Sequence, residues 1–373
     1  MSGTIAARLP QLTIRNVNTF AVEVPMRYPL GTSAARVDKA PLLLIDLETE
    51  EGITGRSYVF CYRSTVPRAI DVVLRDAVSL VKGEPVAPLD IGAKLARRFA
   101  LLGVTGVVRM ALSTLDVALW DALAVAVGLP LATLLGAKPK PVPAYNSSGL
   151  GLMSPEAAAD EAEKLLAGGF RSVKLRLGYP TLEQDLAVTR AVRKRLPDAI
   201  ELPVDYNQAL TVAEAVRRGR ALESEGIAWI EEPIRHDDYA GNAAVARALA
   251  VPIQIGENFN GPEAMAEALA AGACDYVMPD AARIGGVSGW MQAAGIAAAH
   301  RIEMSSHLVP EISAHLLAAT PTCHYLEYAD WADAILEEPL QIRDGFAHVP
   351  DRPGAGLMWR LEAVKALSLA RAA

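Results

Sequence analysis

Cysteine is scarce in this chain of 373 residues: Cys61, Cys274 and Cys323 are odd in number, widely spaced and never in a Cys-x-x-Cys pair. This excludes a disulfide framework and a thiolate zinc site, and it fits a protein kept in a reducing cytoplasm. Basic clusters are absent too. With a net charge of −7 and no large cluster of Lys or Arg, the chain lacks the electrostatic footprint of a nucleic-acid binder, so a small-molecule partner is expected. No apolar run is long enough for a membrane span: VALWDALAVAVGLPLATLLG is broken by Asp121 and Pro130 and reads as a buried helix. The opening MSGTIAARLPQLTI has no apolar stretch of signal-peptide length. Gly285-Gly286 stands without a GxGxxG or Walker pattern, so a phosphate loop is not expected.

Apolar residues, in contrast, make up 51% of the chain. The length exceeds what one core usually serves, so two domains are expected. Strand-like runs come first, in TIRNVNTFAVEVP, APLLLIDLET and ITGRSYVF, the last two forming a hairpin across Glu51-Gly52. Helical periodicity follows at Val66–Val81, Leu89–Arg98 and Gly106–Val127, where Asp116 and Asp121 interrupt an apolar pattern. From Val142 the chain alternates strand and helix. The strands VPAYNSS, RSVKLRLG, IELPVDYN, AWIEE, PIQIG, CDYVMPD, IEMSS and HYLE number eight, enough to close a parallel barrel. Ser154 and Glu156 sit where the first intervening helix needs a cap and an N-terminal acid. The expected layout is an α+β unit over 1–138, a barrel over 139–340 and a C-terminal segment 341–373 that packs back on the first unit.

Asp205, Glu231 and Glu257 each end a short apolar run, and they are spaced 26 residues apart and then 26 again. Any one of them alone reads as a cap or a surface ion pair. At this repeat they close successive strands of a barrel and converge at one mouth, where three carboxylates need a cation between them. An all-oxygen set favours Mg²⁺, then Mn²⁺, over zinc. Such an ion can hold a substrate carboxylate and take up the charge that develops when the neighbouring carbon loses a proton. Lys174 and Arg176 alternate on the second strand and face the same way. His307 ends the seventh strand beside Asp280 on the sixth, a pairing that fixes the imidazole tautomer and leaves one nitrogen free as a base. Glu327 ends the eighth strand and, if protonated, could donate to a substrate oxygen. His236, His300, His315, His324 and His348 have no such placement and read as surface or packing residues.

The stretches RSYVFCY, GYPTLEQDLAV, VDYNQAL, WIEEP, IGEN, MPDAARIGGVSGW and SSHLVPEISAHLLAATPTCHYLE, in this order, resemble the mandelate racemase subgroup of the enolase superfamily. The resemblance covers nearly the whole chain. It implies an α+β capping domain, a modified (β/α)₇β barrel, Mg²⁺ on Asp205, Glu231 and Glu257, a His307–Asp280 base, Glu327 as electrophile, and Lys174 on a substrate carboxylate. It also implies Asn207 and Ser147 as hydrogen-bonding neighbours, and a symmetric homo-oligomer. One position departs. The subgroup's Lys-x-Lys, whose second lysine is a base, is here Lys174-Leu175-Arg176, and a guanidinium does not ordinarily give up its proton. Arg283 likewise stands where related subgroups place another lysine. The expected activity is abstraction of the α-proton of an α-hydroxy acid by a racemase or epimerase. The alternatives are a one-base acid-sugar dehydratase using His307, and a metal-binding relative without catalysis. Leu30, Tyr58, Phe60, Tyr62 and Leu308 form an apolar set expected to lid or line the site, which favours an apolar substrate.

Overall fold

The computed structural model describes residues 10–33 and 36–369. Strands β1 (Ile14–Gly31), β2 (Arg36–Thr49) and β3 (Thr54–Phe60) form an antiparallel meander. The run PLLLI in β2 is apolar at every position because both faces of this sheet are covered. Leu42 and Leu44, with Tyr58 and Phe60, pack on the barrel side, while Leu43, Ile45, Leu47 and Val59 pack against helices. Those helices are α1 (Val66–Val81), α2 (Pro88–Arg98) and α3 (Gly106–Ala126). On α1 the buried residues Ile70, Leu74, Ala77, Val78 and Val81 recur at helical spacing and make one apolar stripe.

Eight parallel strands follow: β4 (Pro141–Asn146), β5 (Leu175–Arg176), β6 (Val204–Asp205), β7 (Ile230–Glu231), β8 (Ile253–Ile255), β9 (Tyr276–Val277), β10 (Glu303–Met304) and β11 (Leu326–Tyr328). β5 to β10 pair in sequence order, and β11 pairs with β4. Single parallel bridges, Asn146 to Val173 and Met304 to Cys323, close the ring. α-Helices lie between successive strands, but β11 is followed only by a 3₁₀ helix, Asp330–Ile335, before the chain turns away, giving a (β/α)₇β barrel with a capping unit. Helix starts are marked locally. Ser154 accepts from the Ala157 amide, and Thr181 and Gln184 form a reciprocal capping box.

The C-terminal segment divides. The hairpin β12 (Gln341–Arg343) and β13 (Phe346–His348) adds antiparallel to β4, so these residues extend the barrel sheet rather than resting on the capping unit as the sequence led us to expect. A barrel strand with an open edge offers unpaired backbone groups, and the hairpin satisfies them. Beyond it, Trp359 Nε1 donates to Asp46 Oδ1 at 2.7 Å and the Glu23 amide donates to the Leu367 carbonyl, which ties the end of the chain to the capping sheet.

Two buried acids on α3 clamp the units together. Asp116 accepts from the amide and hydroxyl of Ser288 at 2.9 and 2.6 Å, and Asp121 accepts from the Arg56 and Ala355 amides at 2.7 and 2.6 Å. Asp116 therefore caps the helix Gly286–His300. A Cβ on Gly286 would stand 2.4 Å from its carboxylate, which accounts for the glycine pair that has no phosphate pattern around it.

Candidate active site

The register of neighbouring strands sets the site. Arg176 pairs with Asp205, Asp205 with Glu231, and Glu231 with Gln254, so their Cα atoms stand in one row at the mouth. The backbone just beyond the strands is unusual: Asn207, Gln208, Glu232, Leu308 and Val309 all have positive φ. Non-glycine residues adopt this conformation at a cost, and such costs gather at functional loops.

Lys174 is fully buried at the centre. Its Nζ lies 2.6 Å from Glu231, 2.7 Å from Glu327 and 3.3 Å from Asp205. Burial opposes its charge, but the surrounding carboxylates win and raise its pKa well above the ordinary value, so it is an ammonium. Asp205 also accepts from the Asn207 amide at 2.7 Å and side chain at 3.0 Å. His307 Nδ1 is 2.7 Å from Asp280 Oδ2, and Nε2 faces Glu257 at 3.3 Å and Glu327 at 3.9 Å. Burial lowers His307, yet Glu257, Glu327 and Asp280 carry it up to about 9. A cation that neutralised Glu257 would remove the largest of those upward pulls.

Burial pushes Glu231 up to about 8, with Lys174 pulling down and Asp205 and Glu327 pushing further up. Glu232, passed over in the sequence, is buried beside it. It accepts from the Gly256 amide at 2.9 Å with one oxygen, while the other has no partner. The doublet in WIEEP at the end of a buried strand was the available signal. Six acids thus crowd this mouth around Lys174, His307 and Arg283. Among the described residues no three groups stand ready-arranged as metal ligands, because Lys174 occupies the point where Asp205 and Glu231 converge and Glu257 is turned to His307. The donors nevertheless fit a hard divalent ion: all are carboxylate oxygens, and the six acids of the mouth outnumber Lys174, His307 and Arg283.

Two expectations look different in the structure. Glu327 is an acceptor, from Lys174 and from the Leu308 amide at 3.0 Å. Burial favours its neutral form, but Lys174 and His307 hold it down at about 2, so it is not a protonated donor in this arrangement. Arg176 does not reach the carboxylates. Its guanidinium donates to the Gly149 carbonyl at 2.5 Å, the Ser147 hydroxyl at 2.8 Å and the Ser147 carbonyl at 3.2 Å, so Ser147 serves the arginine.

The lid set separates. Tyr58 is drawn away, its ring edge-on to Trp359 and its hydroxyl bonded to Glu311. Leu30, Phe60 and Leu308 are buried in the main core, with Phe60 4.8 Å from the Trp331 ring. Tyr62 is exposed and its ring meets that of Phe60 at 4.6 Å, tilted by 56°. Arg283 lies 4.8 Å over the Tyr62 ring and donates to the Glu257 carbonyl at 3.3 Å.

Residues 14–136 match the mandelate racemase/muconate lactonizing enzyme N-terminal domain, and residues 157–364 match the enolase C-terminal domain-like family. The chain belongs to the mandelate racemase/muconate lactonizing enzyme family of the enolase superfamily. Members of this family are enzymes. Among them, an L-talarate/galactarate dehydratase of Salmonella typhimurium is 33% identical over 84% of this chain and 79% of its own. The crystal structure of an enolase from alpha proteobacterium BAL199 with bound magnesium is 44% identical, with a TM-score of 0.94 over 96% of this chain and all of its own. An enolase from Bradyrhizobium, complexed with magnesium and mandelic acid, is 40% identical, with a TM-score of 0.93 over 97% of this chain and 100% of that one. No helix among the described residues is long and apolar enough to cross a membrane.

Proposed function

We propose that this enzyme removes the α-proton of a 2-hydroxy carboxylate with His307 as its single base and then expels a β-hydroxyl, with Asp205, Glu231 and Glu257 holding Mg²⁺. The observation that carries a single base is the engagement of Arg176 with Ser147 and Gly149. A guanidinium in such bonds has no route to a neutral form. Lys174 is held as an ammonium by three carboxylates, which suits it to pair with a substrate carboxylate rather than to accept a proton. His307 Nε2 takes the proton while Asp280 keeps Nδ1–H in place. The imidazolium then returns the proton to the departing β-hydroxyl, which leaves as water, and the enol product tautomerises to a 2-keto acid. Magnesium, when bound, supplies a Lewis acid for the substrate carboxylate on which negative charge grows. The named dehydratase relative supports this outcome.

Racemisation or epimerisation of an apolar 2-hydroxy acid is the second reading. It is favoured by the buried Leu30, Phe60 and Leu308 and by the mandelic acid held by the Bradyrhizobium relative. Incubation of 2-hydroxy acids with Mg²⁺ and enzyme in D₂O separates the two. Appearance of a 2-keto acid supports dehydration; inversion at the α-carbon sinks it and demands a second base. A homo-oligomer in the cytoplasm completes the proposal. The exposed Leu101 and Leu102 in the turn after α2 give a second copy something apolar to cover, and light scattering that finds a monomer would refute that part.

A further inference from the structure

A polar thread runs from Glu231 down through the otherwise apolar barrel. Gln254 on β8 is fully buried and pairs in register with Glu231. Its Nε2 lies 3.4 Å from Glu231 Oε2 and 3.2 Å from Met278 Sδ, and its Oε1 accepts from Ser305 Oγ at 3.1 Å. Ser305, also fully buried, stands 3.0 Å from His324 Nδ1 and accepts from the Tyr325 amide at 3.3 Å. His324 lines a cavity of about 380 Å³ with Glu201, Trp229, Tyr276 and Tyr325. These residues sit at the starts of their strands, so the cavity is at the end of the barrel opposite the mouth.

Hydrogen-bond capacity fixes the direction of this thread. The Glu231 carboxylate, ionised when it holds a cation, only accepts, so Gln254 turns its NH₂ to Glu231 and its carbonyl to Ser305. Ser305 has one proton and commits it to Gln254. The remaining contact therefore needs a ring N–H, which makes His324 the Nδ1–H tautomer. Burial lowers His324 to about 4, in keeping with a neutral ring. All three links donate towards Glu231, and links aligned this way polarise one another. The other Glu231 oxygen is held by Lys174 at 2.6 Å.

We infer that Gln254, Ser305 and His324 are positioning residues that fix the plane of the Glu231 carboxylate from the neighbouring strand and thereby set the affinity of the site for a divalent cation. His324, taken from the sequence as a packing residue, then acts on the mouth from the far end of the barrel. The inference rests on the assignment of Glu231 as a metal ligand. Partners that orient metal ligands change affinity by about 10–100-fold when removed.

The test measures Mg²⁺ affinity by calorimetry and the His324 tautomer by ¹⁵N NMR on the full chain. Gln254→Met, which keeps length without donors, is expected to weaken Mg²⁺ about tenfold or more. His324→Leu should weaken it by a smaller factor, and His324→Asn, whose amide replaces the Nδ1 donor, should hold the parent affinity. In the unmodified protein the resonance that vanishes in His324→Asn should be that of an Nδ1–H ring. Parental affinity in Gln254→Met, or an Nε2–H tautomer at His324, overturns the proposal; should His324→Asn not fold, the ring of the unmodified protein is assigned by correlation to its own backbone amide. Glu231→Gln separates the underlying assumption: if it binds Mg²⁺ as the parent does, the ligand assignment has failed, and not merely the thread.

Discussion

The junction between capping unit and barrel and the mouth of the barrel both bury carboxylates, and they treat them in opposite ways. At the junction, Asp116 and Asp121 are satisfied by backbone amides and one hydroxyl, donors that cannot move away. At the mouth, Asp205, Glu231 and Glu327 share the ammonium of Lys174, and Glu257 leans on His307. Burial raises the carboxyls of Asp116 and Asp121 to about 7 and about 6, as it raises Glu231. What differs is the partner. Fixed amides make a carboxylate into a clamp, whereas crowded acids sharing too few cations make a site that takes in another.

The comparison breaks most sharply at His307. His307→Asn removes the base and should reduce α-proton exchange in D₂O by about 10³-fold, to background, without loss of fold; retained exchange would put the base elsewhere. Next in size, Asp205→Asn should cost Mg²⁺ affinity more than the roughly 10–100-fold that loss of a supporting hydrogen bond costs, while thermal stability without metal stays level or rises because one buried like charge is gone. A chelator should likewise stop exchange in the parent, and added Mg²⁺ should restore it.

Asp121→Ala should do the reverse. It leaves two buried amides, on Arg56 and Ala355, without acceptors, and denaturant unfolding should show a loss of about 2–5 kcal/mol with Mg²⁺ affinity unchanged. The smallest effect is a slope. Asp116 has an ordinary value of 3.8 and sits near 7 when folded. Between those values the folded chain keeps a proton that the unfolded chain has released, so this group's contribution to stability falls as pH rises from about 4 to about 7. Asp116→Asn should flatten that decline in urea unfolding followed across the range, and an unchanged slope would mean that Asp116 is ionised in the fold.

Much of this was legible before any coordinates. The strand and helix alternation after Val142 gave the barrel because short apolar runs at that repeat fit buried strands with polar tips; Asp205 and Glu231 end β6 and β7, and Glu257 stands two residues past β8. Ser154 stands at a helix start where its oxygen meets a free amide, as expected, whereas the capping box of Thr181 was not read from the sequence. The fate of the 341–348 hairpin was not legible, since an antiparallel pair of short strands says nothing about which open edge it joins. Nor was the destination of Arg176: alternation puts it on the same side as Lys174, but the acceptors it finds come from the β4 loop, far away in sequence. Glu232 was hidden by its neighbour in WIEEP, because adjacent acids at a strand end look like one signal.

The sequence by itself determined the order of elements, the class of fold and the set of acids with its histidine, because burial patterns and spacing are local properties of the chain. Only the tertiary structure decided which charge each of those acids meets. Lys174 inside the acid cluster, Arg176 outside it, and Gln254 beside Glu231 are contacts across strands, and Coulomb and hydrogen-bond energies depend on distances that sequence spacing does not set.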